Sequence, residues 1–156
     1  MAGSAVAGVN LNLGCCDRHL GGFVNVDIVP PADKIADLRV TWPWPDSSVD
    51  SIRADDIVEH LPDKIHTMNE AWRVLKPGGR IMITVPTTDG RGAWQDPQHC
   101  SYWNRNSFFY YEHGNPHLTR FAKGNGVKAA FRVLAEHSEA LPDSVVKLTI
   151  VLEAVK

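Results

Sequence analysis

A strand, a helix and a second strand follow one another in residues 49–86, VDSIRADDIVEHLPDKIHTMNEAWRVLKPGGRIMITVP. Residues 49–54 form a strand-like run that breaks at Asp55. Residues 64–75 place apolar side chains at steps of three and four, which is helical spacing: Ile65, Met68, Ala71, Trp72 and Leu75. A Lys-Pro-Gly-Gly string then ends the helix, and residues 80–85 form a strand. This order favours two parallel strands joined by a helix.

Two shorter strands are predicted upstream, at residues 9–13 and 23–27. The residues between them, 15–22, suffice for about two helical turns, so the first connection is abbreviated. Residues 29–45 carry paired prolines and a Trp-Pro alternation. They favour a loop or one short helix, because proline lacks the amide donor.

A final pair of strands is predicted at residues 129–134 and 145–155. Their link is too short for a helical crossover, so the pair should be antiparallel. We also expect Asn106 to cap a short aromatic helix. Together these elements predict an α/β fold: a Rossmann-like, mostly parallel sheet flanked by helices, with a C-terminal antiparallel hairpin and one reversed strand at its edge. The length favours one domain over residues 1–156.

Composition and charge exclude several classes of protein. Hydrophobic residues make up 44% and charged residues 22% of the chain, which is typical of a globular protein. Sixteen Lys and Arg against eighteen Asp and Glu give a formal charge of -2, so no clear attraction to nucleic acid is expected. The sequence has no apolar run of the 18 or so residues that span a bilayer, and its start has no basic signal region. The three cysteines favour a reducing compartment, so we expect a cytoplasmic protein.

Residues that follow the strands are the candidate ligand-binding residues, because ligands of such sheets lie outside the carboxyl ends of the strands. Gly14 lets the backbone approach a ligand closely, and an acid such as Asp27 can accept both hydroxyls of a ribose. The pair favours an adenosine-bearing cofactor. Cys16 and His19 stand where the dinucleotide fingerprint has glycines, and Asp27 follows Gly14 by only 13 residues. A nicotinamide-dependent enzyme is therefore the weaker alternative.

Four strings carry a resemblance to a known family: LNLGCCDRHLGGFVNVD at 11–27, ADL at 36–38, WPWPDSSVDSIRADDIVEHL at 42–61 and RVLKPGGRIMITVP at 73–86. With them the chain resembles the class I S-adenosylmethionine-dependent methyltransferases, particularly the small type labelled methyltransferase type 11. The resemblance covers roughly residues 9–112. It implies a methyltransferase that takes S-adenosyl-L-methionine as its cofactor.

The resemblance also implies five cofactor-binding residues. Gly14 would pass under the methionine moiety, and Asp27 would hold the ribose. Asp37 would accept a hydrogen bond from the exocyclic amine of adenine, and Leu38 would pack on the adenine ring. Asp55 would help to seat the methionine end of the cofactor.

We expect the methyl acceptor to meet the polar segment at residues 86–103, because loops of that length inside a compact domain are usually functional. Methyl transfer is an in-line displacement in which positioning contributes much of the acceleration and little acid catalysis is needed, whereas an oxygen or nitrogen acceptor can require a base. His99 is the candidate catalytic residue, because imidazole titrates near neutrality and the aromatic residues Tyr102 and Trp103 follow it. The other candidates for this base are Glu59, His60 and Asp96.

Each of these residues has a structural alternative. Gly14 and Asp27 could serve only a turn and a strand end, and Asp37 could be a solvated loop acid. Glu59 and His60 could cap or orient their loop, and His99 could order its own. The sequence has no compact metal-ligand spacing such as His-Glu-x-x-His, so we expect no metal site.

These observations favour an enzyme that methylates a small-molecule or glycan-type acceptor. The loop at 86–103 would supply most acceptor contacts, alone or with a second copy of the chain or a partner subunit. We expect no membrane partner. The alternative is a cofactor-binding or accessory protein of the same fold without turnover, which the abbreviated first connection favours.

Overall fold

One mixed sheet runs through the part of the chain that the structure describes. The structure is a computed structural model and describes residues 8–116, Arg120 and 123–156. The expectation about the start of the chain rests on residues that lie outside these ranges. The strands are β1 (Asn10–Leu13), β2 (Val24–Asp27), β3 (Lys34–Ile35), β4 (Val49–Asp55), β5 (Leu75–Pro86), β6 (Phe131–Leu141) and β7 (Val145–Ala154). They lie in the order β3-β2-β1-β4-β5-β7-β6.

Helices are few in the described ranges. The longest is α1 (Lys64–Val74), and two short helices follow, α2 (Gly92–Gln95) and α3 (Arg105–Phe109). Single 3₁₀ turns lie at Val58–His60, Lys123–Asn125 and Pro142–Ser144. None of the helices that the structure describes is long and apolar enough to cross a membrane.

The predicted fold class is confirmed. Strands β1 to β5 pair in parallel, and β7 pairs antiparallel with both β5 and β6. The prediction that the reversed strand lies at the edge is wrong, since β7 lies between β5 and β6. Burial gives the reason: β7 alternates buried and half-buried side chains and needs a neighbour on each side, whereas β6 is mostly exposed and tolerates the edge.

The closing hairpin is longer than predicted, and its link is shorter. β6 extends to Leu141, so residues 142–144 alone connect it to β7. The added residues include Glu136, His137 and Glu139, which the prediction left in the link between the two strands. An edge strand exposed to water accommodates such side chains.

The connection between β1 and β2 is short, as the sequence predicts, and it is a loop without the two helical turns for which it has room. Residues 14–23 contain turns and no helix. Asn12 and Asn25, each 5% exposed, lie beneath this loop. The Asn12 side-chain amide donates to the Arg18 carbonyl at 2.8 Å and to Asn25 Oδ1 at 2.9 Å, and Asn25 Oδ1 also accepts from the Leu20 amide at 2.8 Å. Buried polar side chains thus hold the loop on the sheet.

The opposite face of the sheet is apolar and carries α1. The strand registers align Leu11, Ile52, Ile81 and Leu152 in one row. These residues belong to the same core cluster as Met68, Ala71 and Val74 of α1. The helix predicted at 64–75 is therefore confirmed to within one residue.

Two local predictions are corrected. The strand β3 was not expected, because it is only two residues long and both are exposed. The cap of α3 is Asn104, not Asn106: Asn104 Oδ1 accepts from the Ser107 amide, and Ser107 Oγ accepts from the Asn104 amide. This reciprocal pair is a capping box, which Asn106 inside the helix cannot form.

Candidate cofactor and acceptor sites

The backbone turns sharply at Gly14, directly after β1. Gly14 has a φ of +62°, which L side chains rarely adopt. A Cβ at this position would lie 2.7 Å from Cβ of Ile57, in the loop after β4. Glycine is required here because both the conformation and the space exclude a side chain.

Asp27, the last residue of β2, faces the same turn. Its Oδ2 accepts a hydrogen bond from the Cys16 amide at 2.9 Å, and its Oδ1 accepts from the Ile28 amide at 2.7 Å. A carboxylate oxygen can accept more than one hydrogen bond, so Asp27 retains capacity for further donors.

The residues around this turn line a cavity of about 540 Å³, which we call the adenosine cavity after the cofactor moiety that the sequence resemblance leads us to expect there. It contains four of the five residues predicted to bind the cofactor: Gly14, Asp27, Asp37 and Leu38. The other lining residues are Ile28, Ala36, Arg39, Ile57, His60 and Leu61. The loop after β1, the end of β2 and the segment after β3 thus meet in one place.

Asp37 is paired within this cavity. Its Oδ1 accepts from the Arg39 Nε at 2.9 Å, and its Oδ2 accepts from Nη2 at 2.8 Å. Hydrogen bonds from Arg39 lower the pKa of Asp37 to about 2, so the carboxylate is ionised at neutral pH. The Arg39 guanidinium, which also lines the cavity, offers a planar cation of the kind that stacks on aromatic rings.

Asp55 lies in a second cavity of about 410 Å³, the methionine cavity, which shares Gly14 with the first. Its other lining residues are Asn12, Cys15, Arg18, Leu20 and Arg53. Asp55 Oδ2 accepts from Arg53 Nε at 2.6 Å, while Oδ1 is buried and has no hydrogen-bond partner among the described residues. An unpaired buried acceptor is unfavourable, so a donor from a bound molecule would be stabilising here.

A third cavity of about 540 Å³, the acceptor cavity, adjoins the adenosine cavity at His60, which lines both. It also contains Glu59, Asp96 and His99, together with Asp56, Pro86, Gly92, Gln95, Val145 and Lys147. Lys147 Nζ donates to both carboxylate oxygens of Asp56 at 2.7 Å, which places an ion pair on one wall.

His99 is held in a defined orientation inside this cavity. Its side chain is 8% exposed, and Nδ1 lies 3.1 Å from the Ala93 carbonyl oxygen. Because a carbonyl only accepts, Nδ1 carries the proton, and Nε2 of the neutral ring has a free lone pair. Nε2 lies 3.9 Å from Glu59 Oε1 and 3.8 Å from Asp96 Oδ2.

Glu59 is the most deeply buried ionisable group of this cavity, with 2% of its surface exposed. Burial raises the pKa of Glu59 to about 7, and the nearby Asp56 contributes in the same direction. Its Oε2 has no hydrogen-bond partner within the described residues.

The loop that carries His99 is clamped onto the turn that carries Glu59. The Cys100 and Ser101 amides both donate to the Glu59 carbonyl, at 2.9 and 3.0 Å. Ser101 Oγ donates to the Val58 carbonyl at 2.9 Å and accepts from the indole of Trp103. Trp103 is fully buried, so it anchors the loop in the core.

The cavity residues that were not singled out from the sequence include Arg39, Lys147 and Gln95. Arg39 follows the ADL string and could have been found as a cation beside a predicted adenine site. Lys147 and Gln95 gave no signal in the sequence. Lys147 reaches the acceptor cavity from β7, and Gln95 reaches it from the short helix α2.

Residues 7–83 match a family model described as a methyltransferase domain. The fold and the cavities at the strand ends agree with that match. Over these residues, about half of its length, the chain is similar to a methyltransferase domain, and its fold is that of solved S-adenosylmethionine-dependent methyltransferases. The resemblance predicted from the four sequence strings is therefore confirmed.

Individual relatives match over short segments. The 27-O-demethylrifamycin SV methyltransferase of Amycolatopsis mediterranei is 44% identical over 55 residues, which is 33% of this chain and 20% of that protein. The match therefore covers only about one fifth of the length of that relative.

Solved structures share the fold at low identity. A S-adenosylmethionine-dependent methyltransferase from Methanosarcina mazei has a TM-score of 0.67 at 12% identity, covering 97% of this chain and 94% of its own. Geranyl diphosphate C-methyltransferase from Streptomyces coelicolor, determined with S-adenosyl-L-homocysteine, has a TM-score of 0.63 at 11% identity and covers 95% of this chain and 70% of its own.

Proposed function

We propose that the chain catalyses methyl transfer from S-adenosyl-L-methionine to a small-molecule or glycan-type acceptor. The observation that carries the proposal is the junction at His60 between the cavity lined by Gly14, Asp27, Asp37 and Leu38 and the cavity that contains His99. A cofactor in the first cavity would meet an acceptor in the second at that junction.

Two features of the chain fit this cofactor. Gly14 lines both the adenosine and the methionine cavity, and any side chain there would clash with Ile57, so glycine lets the backbone itself form the wall that a cofactor would contact. The unpaired Oδ1 of Asp55 supplies an acceptor for the ammonium of a methionine moiety. Asp27 would bind the ribose hydroxyls, while Asp37 and Leu38 would meet the adenine. S-adenosylmethionine, when bound, supplies an electrophilic methyl group.

His99 is the proposed catalytic residue of the acceptor cavity. Its Nδ1 is held by the Ala93 carbonyl, which leaves Nε2 to take the proton that an acceptor hydroxyl or amine loses. The buried Glu59 beside Nε2 would stabilise the imidazolium that results.

We propose further that residues 1–156 act as one methyltransferase domain in the cytoplasm. The free cysteines Cys15, Cys16 and Cys100 support a reducing compartment. Part of the acceptor contacts would come from a second copy of the chain or from a partner subunit.

An acceptor screen with radiolabelled S-adenosylmethionine tests the proposal. We expect label in at least one small molecule or glycan. Binding of the cofactor without transfer to any acceptor class would favour the accessory protein, and binding of NAD in its place would favour the nicotinamide-dependent enzyme.

A further inference from the structure

Three side chains with metal-ligating atoms converge in the acceptor cavity. Glu59 and His60 come from the 3₁₀ turn Val58–His60, and His99 comes from the loop after α2. One ligand atom from each lies within 4.8 Å of the other two. The rings of His60 and His99 meet edge to face, with centroids 4.9 Å apart. Two turns that are distant in sequence thus present two imidazoles and one carboxylate to one point.

Glu59 supplies an independent sign that something binds at this point. The side chain is 3% exposed, and Oε2 is buried without a partner within the described residues. An unpaired buried carboxylate is strongly unfavourable, and a proton or a cation relieves it. The remaining oxygen faces Nε2 of His99 at 3.9 Å, which is too long for a hydrogen bond.

His99 is oriented as metal-ligating histidines are. Such residues donate their second ring N–H to a carbonyl or a carboxylate, which fixes the ring and leaves a lone pair on the other nitrogen. Nδ1 of His99 lies 3.1 Å from the Ala93 carbonyl, and Nε2 faces the carboxylates of Glu59 and Asp96. Two carboxylates around a lone pair favour a cation at this point, and Lys147 of the same cavity is already paired with Asp56.

We propose that Glu59, His60 and His99 bind a divalent transition-metal ion of the Zn²⁺ type, with Asp96 as an additional oxygen donor. Imidazole nitrogens and carboxylate oxygens suit such ions, at about 2.0–2.2 Å from the metal. Ligand atoms around a tetrahedral ion at that distance lie roughly 3.3–3.6 Å apart, slightly closer than the 3.9 Å between Glu59 Oε1 and His99 Nε2. Small side-chain rotations complete the site.

The consequence for activity rests on the proposed function. An ion bound to Nε2 of His99 occupies the lone pair that would take the acceptor proton. Metal binding and proton acceptance therefore exclude each other, so Zn²⁺ should inhibit methyl transfer. The binding itself requires neither cofactor nor acceptor.

Titration of the untagged, chelator-treated chain with Zn²⁺ by calorimetry, and with Co²⁺ by visible absorption, tests the site. We expect one ion per chain and a ligand-field absorption band for Co²⁺. Glu59→Gln and His99→Gln should each weaken binding at least about 10-fold. Two controls, His137→Gln on the exposed strand β6 and Cys100→Ser beside His99, should bind as the unmodified chain does.

The outcomes separate this proposal from the proposed function. Circular dichroism and S-adenosyl-L-homocysteine binding show whether each variant is folded. Absence of Zn²⁺ binding by a folded chain that still binds S-adenosyl-L-homocysteine overturns the metal site alone. Zn²⁺ binding that survives both Glu59→Gln and His99→Gln would assign the ion to other ligands. Loss of Zn²⁺ binding in Cys100→Ser would do the same, and either result overturns the proposed metal site.

Discussion

At the scale of single residues, Asp27 was predicted to bind the ribose because it stands at the end of a strand. The structure adds which atoms contact its carboxylate. The Cys16 and Ile28 amides already bond to its carboxylate. The side chain is therefore held in place before any ligand arrives, and a ribose would meet a fixed acceptor.

Replacing Asp27 with Ala should weaken S-adenosyl-L-homocysteine binding by about 10- to 150-fold. The reason is that a hydrogen bond to a charged group contributes about 1.5–3 kcal/mol. Calorimetric titration measures the affinity, and Asp17→Ala in the exposed loop after β1 is the matched control. If affinity is unchanged while thermal stability falls, Asp27 is structural and the ribose lies elsewhere.

His99→Gln should lower turnover with an identified acceptor by about 10²–10⁴-fold, because glutamine retains hydrogen bonding but not basicity. Cofactor affinity should stay the same, since His99 does not line the adenosine cavity. Steady-state rates at saturating cofactor measure the effect, with His137→Gln as the control. Turnover equal to that of the unmodified chain would show that His99 only orders its loop and is not the base.

At the scale of elements, the helix with periodic apolar side chains was predictable, whereas the full length of the exposed edge strand and the contact between two loops were not. The spacing of Met68 and Ala71 predicts α1 because one face of a helix must be apolar to pack. β6 was predicted too short because its exposed side chains carry no periodic signal. The acceptor cavity was only partly foreseen: the sequence singled out Glu59, His60 and His99 but gave no sign that they meet, because tertiary contacts between two loops decide it.

Glu70 of α1 stabilises the junction between the helix and the Trp-Pro segment. Its Oε2 accepts from the Trp42 amide and from Arg73 Nη2, both at 2.7 Å, and its Oε1 accepts from Arg73 Nε at 2.7 Å. These bonds lower the pKa of Glu70 below its ordinary value, with the Arg73 hydrogen bonds as the main cause.

Glu70→Gln should therefore destabilise the fold by about 1.5–3 kcal/mol at neutral pH, because charged hydrogen bonds are lost. A carboxyl whose folded pKa is lowered stabilises the fold above its unfolded pKa and loses that contribution as the pH falls through its folded pKa. The difference between the two proteins should shrink below about pH 4.5. Urea unfolding at several pH values measures it, and Glu139→Gln on the exposed face of β6 is the control. A difference that does not change with pH would contradict the role of the charge.

At the scale of the whole molecule, three neighbouring cavities lie at the carboxyl ends of the strands of the sheet. The methionine and adenosine cavities share Gly14, and the adenosine and acceptor cavities share His60. The loop after β1, which replaces the usual crossover helix, lines the methionine cavity through Cys15, Arg18 and Leu20. The central claim is that S-adenosylmethionine occupies the first two cavities.

Differential scanning calorimetry with S-adenosyl-L-homocysteine tests that claim most directly. At about 100 times its dissociation constant, the ligand should stabilise the fold by about 2.7 kcal/mol. For a chain of 156 residues this raises the melting temperature by about 5–10 °C. NAD at the same concentration should produce no comparable shift, because Cys16 and His19 stand where the dinucleotide fingerprint has its second and third glycines. A melting temperature that does not change at millimolar S-adenosyl-L-homocysteine would contradict the account.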